Sequence, residues 1–318
     1  MGMLVISPEE ALELFDYRPL IDFFESQHHL PPARVNDLFA EDGTGNLLLA
    51  RVGSQPGTGL GVKLATVFPA NRDLPTVNTV YVLFDPMTGE EQAAITGNAL
   101  TWFKTACDSA LASSYLADRN ARTMLMVGAG AMAPHLIRAH TATCPSIKKI
   151  RMWNRTQARA EALASELGED LPTGVTDLGI ATDLAEAVQE ADLISCATMT
   201  VEPLIRGEWL SPGTHLDLVG SYRPHMREVD DAAIARSLIY VDLRATALDT
   251  GEIRLPIDSR VITTDDLIGD LFQLVSGDVP ARRSDQEITL FKNAGGGHLD
   301  LMAARFLLAA KSRADLNR

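Results

Sequence analysis

One segment limits the possible folds of this chain more than any other. It reads Met124-Leu-Met-Val-Gly128-Ala-Gly130-Ala-Met-Ala133. A short apolar strand runs into G-x-G-x-x-A, and a helical pattern follows to about Thr143. Each small residue in such a turn has a mechanical reason. Gly128 permits the tight turn, Gly130 lets a pyrophosphate approach the backbone, and Ala133 lets the helix pack close to the strand. The helix start then offers unpaired N–H groups and a partial positive charge to phosphates. Gly128, Gly130, Ala131 and Met132 are therefore candidate contacts of a dinucleotide.

The surroundings suit that reading. After Asn120 strands and helices alternate: Lys149–Trp153, then a helix over Gln157–Leu167, a short helix over Asp183–Gln189, and strands at Leu193–Ala197, His215–Val219 and Leu238–Asp242. Alternation of this kind predicts βαβ units around a parallel sheet. The earlier part of the chain has another rhythm. Ser7 caps a first helix with Pro8 at its first position, and a second helix runs from about Pro19 to His28. The apolar runs Leu47–Leu49, Val62–Phe68 and Thr79–Phe84, broken by Asp42-Gly43, Pro56-Gly57 and Thr88-Gly89, then predict mostly antiparallel strands. A helix from about Asn98 to Ala117 carries Lys104, and an apolar helix spans Leu299–Ala310. The fold class expected is α/β, a Rossmann unit beside a second domain.

The end of the second Rossmann strand bears on the cofactor. An NAD-preferring site places Asp or Glu there, to hold the ribose 2′-hydroxyl. This chain has Asn154-Arg155-Thr156. Asn154 does not repel a 2′-phosphate, and Arg155 and Thr156 can bind one. NADPH is the expected cofactor, with NADH as a possible substitute. Thr156 can equally serve as a helix cap.

Composition narrows the partners. With 42 acidic against 28 basic side chains the formal net charge is -14. Such a chain repels nucleic acid and anionic membrane, so neither is expected as a partner. An anionic ligand needs a local group of cations. Cys107, Cys144 and Cys196 show no metal or disulfide spacing, and are expected as buried thiols in a reducing compartment. No stretch of about 18 apolar residues is present, and the first residues lack the pattern of a signal peptide or of myristoylation. A cytoplasmic protein is expected.

Several ordered blocks together carry a resemblance. They are Pro32-Ala-Arg34; Gly61-Val-Lys63 with Phe68-Pro69-Ala-Asn71; Leu100-Thr-Trp-Phe-Lys104-Thr105-Ala106; Ser109-Ala-Leu-Ala112 with Tyr115-Leu-Ala117; the glycine loop; Trp209-Leu-Ser-Pro212-Gly213-Thr214-His215; and Phe291-Lys292-Asn293-Ala-Gly295 with Asp300. In order and spacing the chain resembles the ornithine cyclodeaminase/mu-crystallin family over nearly its whole length. The resemblance implies an α+β substrate-binding and dimerisation domain (residues 1–118 and 293–318), completed by the C-terminal helix, and a Rossmann NAD(P)-binding domain (119–292). It also implies a homodimer acting on a small amino or imino acid. Arg34 and Lys63 match the family's substrate-binding cations. Lys104 occupies a third position, usually Arg, and would meet a carboxylate as a point charge rather than a bidentate fork. Thr105, Thr198, Val219, Gly220 and Asp300 are grouped with the cofactor contacts, Ser221 and His298 with the substrate.

Two departures discriminate among the family's reactions. Leu48 stands where the cyclodeaminase has Glu, and Tyr222 where it has Asp. A diamine cation would lack both partners, so ornithine cyclisation is not expected. The segments Gly220-Ser-Tyr-Arg-Pro and Asn293-Ala-Gly-Gly-Gly-His298-Leu-Asp300 look more like the imino-acid reductases, especially the bacterial Δ1-pyrroline-2-carboxylate (ketimine) reductases. The expected reaction is NAD(P)H-dependent reduction of Δ1-pyrroline-2-carboxylate or Δ1-piperideine-2-carboxylate to proline or pipecolate. Lys63 is the expected catalytic residue, and His298 a candidate proton donor. Alternatives are ornithine cyclodeaminase, an alanine-type dehydrogenase, and a crystallin-like NADPH-binding protein without turnover.

Overall fold

The computed structural model describes residues 3–316. The chain divides into two compact units, Met1–Lys104 with Gly296–Arg318, and Thr105–Gly295. The division falls within the helix Ala99–Leu116, ahead of the change of rhythm near residue 118. A helix stays continuous while its packing partners change, so periodicity alone does not mark the boundary.

The first unit is built on a six-stranded sheet. Its strands are β1 (Leu4–Ile6), β2 (Arg34–Glu41), β3 (Leu47–Gln55), β4 (Gly59–Val67), β5 (Val77–Phe84) and β6 (Glu91–Thr96), in the order β1-β6-β5-β4-β3-β2. Only β1 and β6 pair in parallel. The helix Pro8–Leu14 starts at Ser7, whose hydroxyl oxygen accepts from the Glu10 N–H at 3.2 Å. It packs beside the C-terminal helix Gly297–Leu316, as does Tyr17–His28, and that C-terminal helix lies on β3, β4 and β5. That helix begins hard against the sheet. A Cβ on Gly53 would stand 2.3 Å from the Gly297 carbonyl oxygen, so backbone meets backbone there. Strands β2 and β6 were not expected from sequence. The residues of β2 are almost all exposed, and no alternation of apolar residues marks them.

The two faces of this sheet differ. Leu83, Ile95, Tyr81 and Lys63 are buried on or beneath the helical side. On the other face the register sets Leu38 beside Ala50 and Leu64, and Val52 beside Val62. There Leu38 is 68% exposed, Leu48 43% and Leu64 36%, a broad apolar surface not covered by any described part of its own unit.

The second unit is an eight-stranded parallel sheet: β7 (Thr123–Val127), β8 (Lys149–Trp153), β9 (Asp177–Ile180), β10 (Leu193–Cys196), β11 (His215–Leu218), β12 (Ser237–Val241), β13 (Leu267–Asp270) and β14 (Ile288–Lys292). The order is β13-β12-β14-β11-β10-β7-β8-β9, so the winding reverses between β7 and β10. In such sheets the ligand crevice lies at the carboxyl ends of the strands flanking that reversal. The helix after the glycine turn spans Ala133–Thr143, shorter than expected because Gly130, Ala131 and Met132 form a turn before it. Strand β14 is buried at every residue and returns to the middle of the sheet between β11 and β12. All three cysteines are buried, and none is in a disulfide. Among the described residues no helix is long and apolar enough to cross a membrane, and no group of side chains could hold a metal ion.

Candidate active site

The carboxyl ends of β7, β8, β10 and β11 carry the nucleotide features. Gly128 has φ +104°, and a Cβ there would lie 2.7 Å from the Ala197 carbonyl oxygen, so the turn admits only glycine. Gly130 differs. A Cβ at Gly130 would meet no protein atom within 4 Å, so nothing in the fold itself demands glycine there. The open space over its backbone is what a pyrophosphate requires. Gly130 and Ala131 are exposed, Met132 is half-buried, and Ala133 is packed beneath them. The residues present thus fit a dinucleotide. Asn154 holds the loop in place: its Oδ1 accepts from the Ala129 N–H at 3.1 Å, and its amide donates to the Thr156 carbonyl at 2.9 Å. Arg155 and Thr156 are exposed. Thr156 is the N-cap residue of the helix Gln157–Glu169 but makes no side-chain cap bond.

The loops after β10 and β11 are tied together from below by two buried glutamates that sequence reasoning did not select. Glu228 Oε1 accepts from the Thr198 N–H at 2.8 Å and its hydroxyl at 2.9 Å; Oε2 accepts from the Gly220 N–H at 2.7 Å. Glu252 Oε2 accepts from the Ser221 hydroxyl and from the Glu228 N–H, both at 2.7 Å. Gly220 is forced by the close approach, since a Cβ would stand 1.8 Å from the Thr198 carbonyl oxygen. Burial, with Glu252 close by, pushes the Glu228 carboxyl up to about 7 against the pull of Lys292. The Lys292 ammonium donates to the Leu218 carbonyl at 3.1 Å. Ser221, expected at the substrate, is instead fully buried with its hydroxyl given to Glu252. Thr198, Val219 and Gly220 do lie at the strand ends where the crevice forms, Val219 through its N–H to the Cys196 carbonyl. Thr105 is buried and uses its carbonyl to accept from the Asn293 amide at 3.0 Å.

The first unit carries the cations. Register places Asp37, Arg51, Lys63 and Tyr81 in one row across β2, β3, β4 and β5. Gly61 leaves room for the Tyr81 ring, whose hydroxyl would be 2.3 Å from a Cβ at that position. Lys63 and Lys104 both converge on Asp300, in the first turn of the C-terminal helix. Lys63 Nζ is 3.1 Å from each Asp300 oxygen, and Lys104 Nζ is 2.9 Å from Oδ2. Lys104 also donates to the Gly296 carbonyl at 3.3 Å. Burial is the main reason the Lys104 ammonium drops to about 7; Asp300 opposes the drop, while Lys63 and Arg51 add to it. Asp300 itself stays below the ordinary carboxylate range, because the two lysines outweigh its burial.

Three expectations change here. Asp300, grouped from sequence with the cofactor contacts, belongs to the lysine cluster. Both ammonium groups lie upon its carboxylate. Arg34 does not join them. It is exposed at the first residue of the edge strand, three positions from Asp37, and its register partner is Ser54. Strand alternation puts it on the face opposite Lys63. Arg51 stands in its place, held by Asp37 at 2.5 Å. The sequence signal for Arg51 was available: an arginine in a strand whose antiparallel partner offers Lys63. His298 is fully buried, and burial first, then His28 and Lys104, holds it well below its ordinary value. It is neutral at neutral pH and has no proton to give as an imidazolium. Leu48 is exposed on the outer face, and Tyr222 is exposed with its ring 5.4 Å from the Arg223 guanidinium.

Residues 24–312 match the model of the ornithine cyclodeaminase/mu-crystallin family. The Δ1-pyrroline-2-carboxylate reductase of Paracoccus denitrificans is 42% identical over 305 residues, 95% of each chain. Among solved structures, Thermococcus litoralis Δ1-pyrroline-2-carboxylate reductase in complex with NADH and L-proline superposes with TM-score 0.90 at 26% identity, covering 98% of both chains. The iminosuccinate reductase of P. denitrificans with NAD+ gives TM-score 0.88 at 28% identity, covering 99% of this chain and 98% of the other.

Proposed function

Because this chain belongs to the ornithine cyclodeaminase/mu-crystallin family, we propose that it is an NAD(P)H-dependent oxidoreductase that reduces the C=N bond of a cyclic imino acid. The substrate class is Δ1-pyrroline-2-carboxylate or its six-membered homologue, and the products are L-proline or L-pipecolate. One observation carries the reading: two buried lysines share a single aspartate, which leaves a surplus positive charge. That surplus suits one carboxylate. It offers no anionic seat for the second ammonium of a diamine, since Leu48 and Tyr222 supply none.

When bound, the reduced nicotinamide supplies a hydride to C2. Gly128 through Met132 hold its pyrophosphate, and Thr198, Val219 and Gly220 line the crevice at the strand ends. Lys63 and Lys104 orient the substrate carboxylate, so catalysis is largely positional. Lys63 is the group that gives the imine nitrogen its proton, because a protonated imine accepts hydride far more readily. NADPH is preferred over NADH because Arg155 and Thr156 stand exposed where a 2′-phosphate would lie, with Asn154 in place of an acid. The apolar outer face of the six-stranded sheet is the surface on which a second copy docks, giving a homodimer. Buried thiols outside any disulfide and a nicotinamide cofactor suit the cytoplasm.

The test is a substrate panel: both cyclic imines, pyruvate with ammonium, and ornithine, each with NADPH and NADH. Consumption of reduced cofactor with the imines is expected. Ammonia released from ornithine, or faster turnover of pyruvate with ammonium, would replace this reading by the corresponding relative's reaction.

A further inference from the structure

Reduction of a C=N bond consumes a proton as well as a hydride, and the buried cluster holds two ammonium groups on one carboxylate. We infer that Lys104 is the proton store of the reaction, its ammonium refilling Lys63 across the shared carboxylate of Asp300. The inference rests on the imine-reductase reading above and deepens it. The balance is simple. Hydride forms the new C2–H bond, and the π pair of C=N moves onto nitrogen. Nitrogen takes a proton from Lys63 Nζ. Asp300 passes a proton from Lys104 to Lys63, which leaves Lys104 as a neutral amine. Water restores its proton after product leaves.

The geometry supports this path. Lys63 and Lys104 do not merely lie near one another; both reach the same carboxylate, at 3.1 and 2.9 Å. The other charged or titratable groups acting on this cluster come from four elements. Arg51 from β3 never gives up its proton and is held by Asp37 from β2. His298 from the C-terminal helix and His28 from the helix Tyr17–His28 are buried and uncharged, His28 brought down to about 4 by burial. Tyr81 from β5 faces Asp300 and is pushed well above its ordinary value by burial. Asp300 is ionised. Lys104 is left as the group whose proton is loosely held, at about 7. An arginine, the usual residue at this place in the resemblance drawn above, could bind the carboxylate but could not release a proton at any physiological pH.

The decisive variant is Lys104→Arg, which keeps the charge and removes the transferable proton. With NADPH and the cyclic imine, wild-type kcat/KM is expected to fall as pH rises through about 7. In K104R that limb disappears, and kcat drops about 100-fold with KM little changed. Asp300→Asn breaks the bridge, so the limb is lost as in K104R; because it also removes the charge that raises Lys104, the lysine's own titration moves to lower pH. A readout independent of turnover comes from the free protein carrying nitrogen-15 at lysine Nζ. One lysine should titrate near 7, and that signal should vanish in K104R. If K104R fails to fold, judged by circular dichroism and nucleotide binding, K104Q serves, with the same loss of signal and limb. A K104R enzyme with wild-type kcat and pH profile, or a free protein with no lysine titrating near neutrality, overturns the relay. A wild-type protein that reduces no cyclic imine overturns the reaction itself, and the role with it, even if the lysine titrates.

Discussion

Each unit hides a three-charge cluster, and the two are opposite in sign. In the antiparallel-sheet unit two lysines share one carboxylate, Lys63 and Lys104 on Asp300. In the parallel-sheet unit two carboxylates, Glu228 and Glu252, lie under the field of Lys292. In each cluster burial shifts one group, with its like-charged neighbour adding to the shift: Lys104 falls to about 7, and Glu228 rises to about 7. What differs is how the remaining valences are used. The oxygens of Glu228 and Glu252 take backbone N–H groups and hydroxyls of the loops after β10 and β11, so that cluster is a clamp. The lysines have largely each other's aspartate, so theirs can still bind an arriving anion. A buried charge satisfied mainly by backbone is structural; one balanced mainly by another side chain is poised to exchange partners.

Single substitutions can break this contrast. The largest effect is expected from Lys63→Met. Imine reduction should fall about 1000-fold, some 4 kcal/mol in barrier, while nucleotide affinity measured by fluorescence stays near wild type. Next is Gly220→Ala, which drives a methyl into the Thr198 carbonyl. It should cost about 3 kcal/mol of stability, seen in chemical denaturation, and should weaken nucleotide binding with it. Gly130→Ala sharpens the point, because its Cβ meets nothing in the protein. Stability should be unchanged while nucleotide Kd rises about tenfold, one lost close contact worth about 1.4 kcal/mol. Arg155→Ala should raise KM for NADPH about tenfold and leave NADH nearly unaffected.

The smallest effect is a pH dependence of opposite sign in the two clusters. Glu228 is raised from 4.5 to about 7 in the folded state, so its contribution to stability is lost as pH rises through that interval. Lys104 is lowered from 10.5 to about 7, so its contribution is lost as pH falls through that interval. Melting curves of Glu228→Gln and K104Q should each flatten one side of the wild-type profile. If both variants flatten the same side, the clusters are not opposite in the way described.

Much of this was legible in the linear chain. The strand, glycine turn and helix around Gly128 are a local signal, since the turn's demands fall on residues a few positions apart. The same holds for Ser7 as a helix cap and for strands β3, β4 and β5. Buried strands that cross the middle of a sheet late, such as β14, show no alternation and were missed. The exposed β2 was missed for the opposite reason, because no burial imposes a pattern on it.

The sequence alone determined the cofactor class, the family, and the presence of Lys63 and Lys104 in a chain that otherwise repels anions. Tertiary structure decided their company. Asp300 lies 237 positions from Lys63, so no local pattern could pair them. Register, not residue type, turned Arg34 outward and Arg51 inward, because a strand's side chains alternate faces and a single step changes which face each one serves.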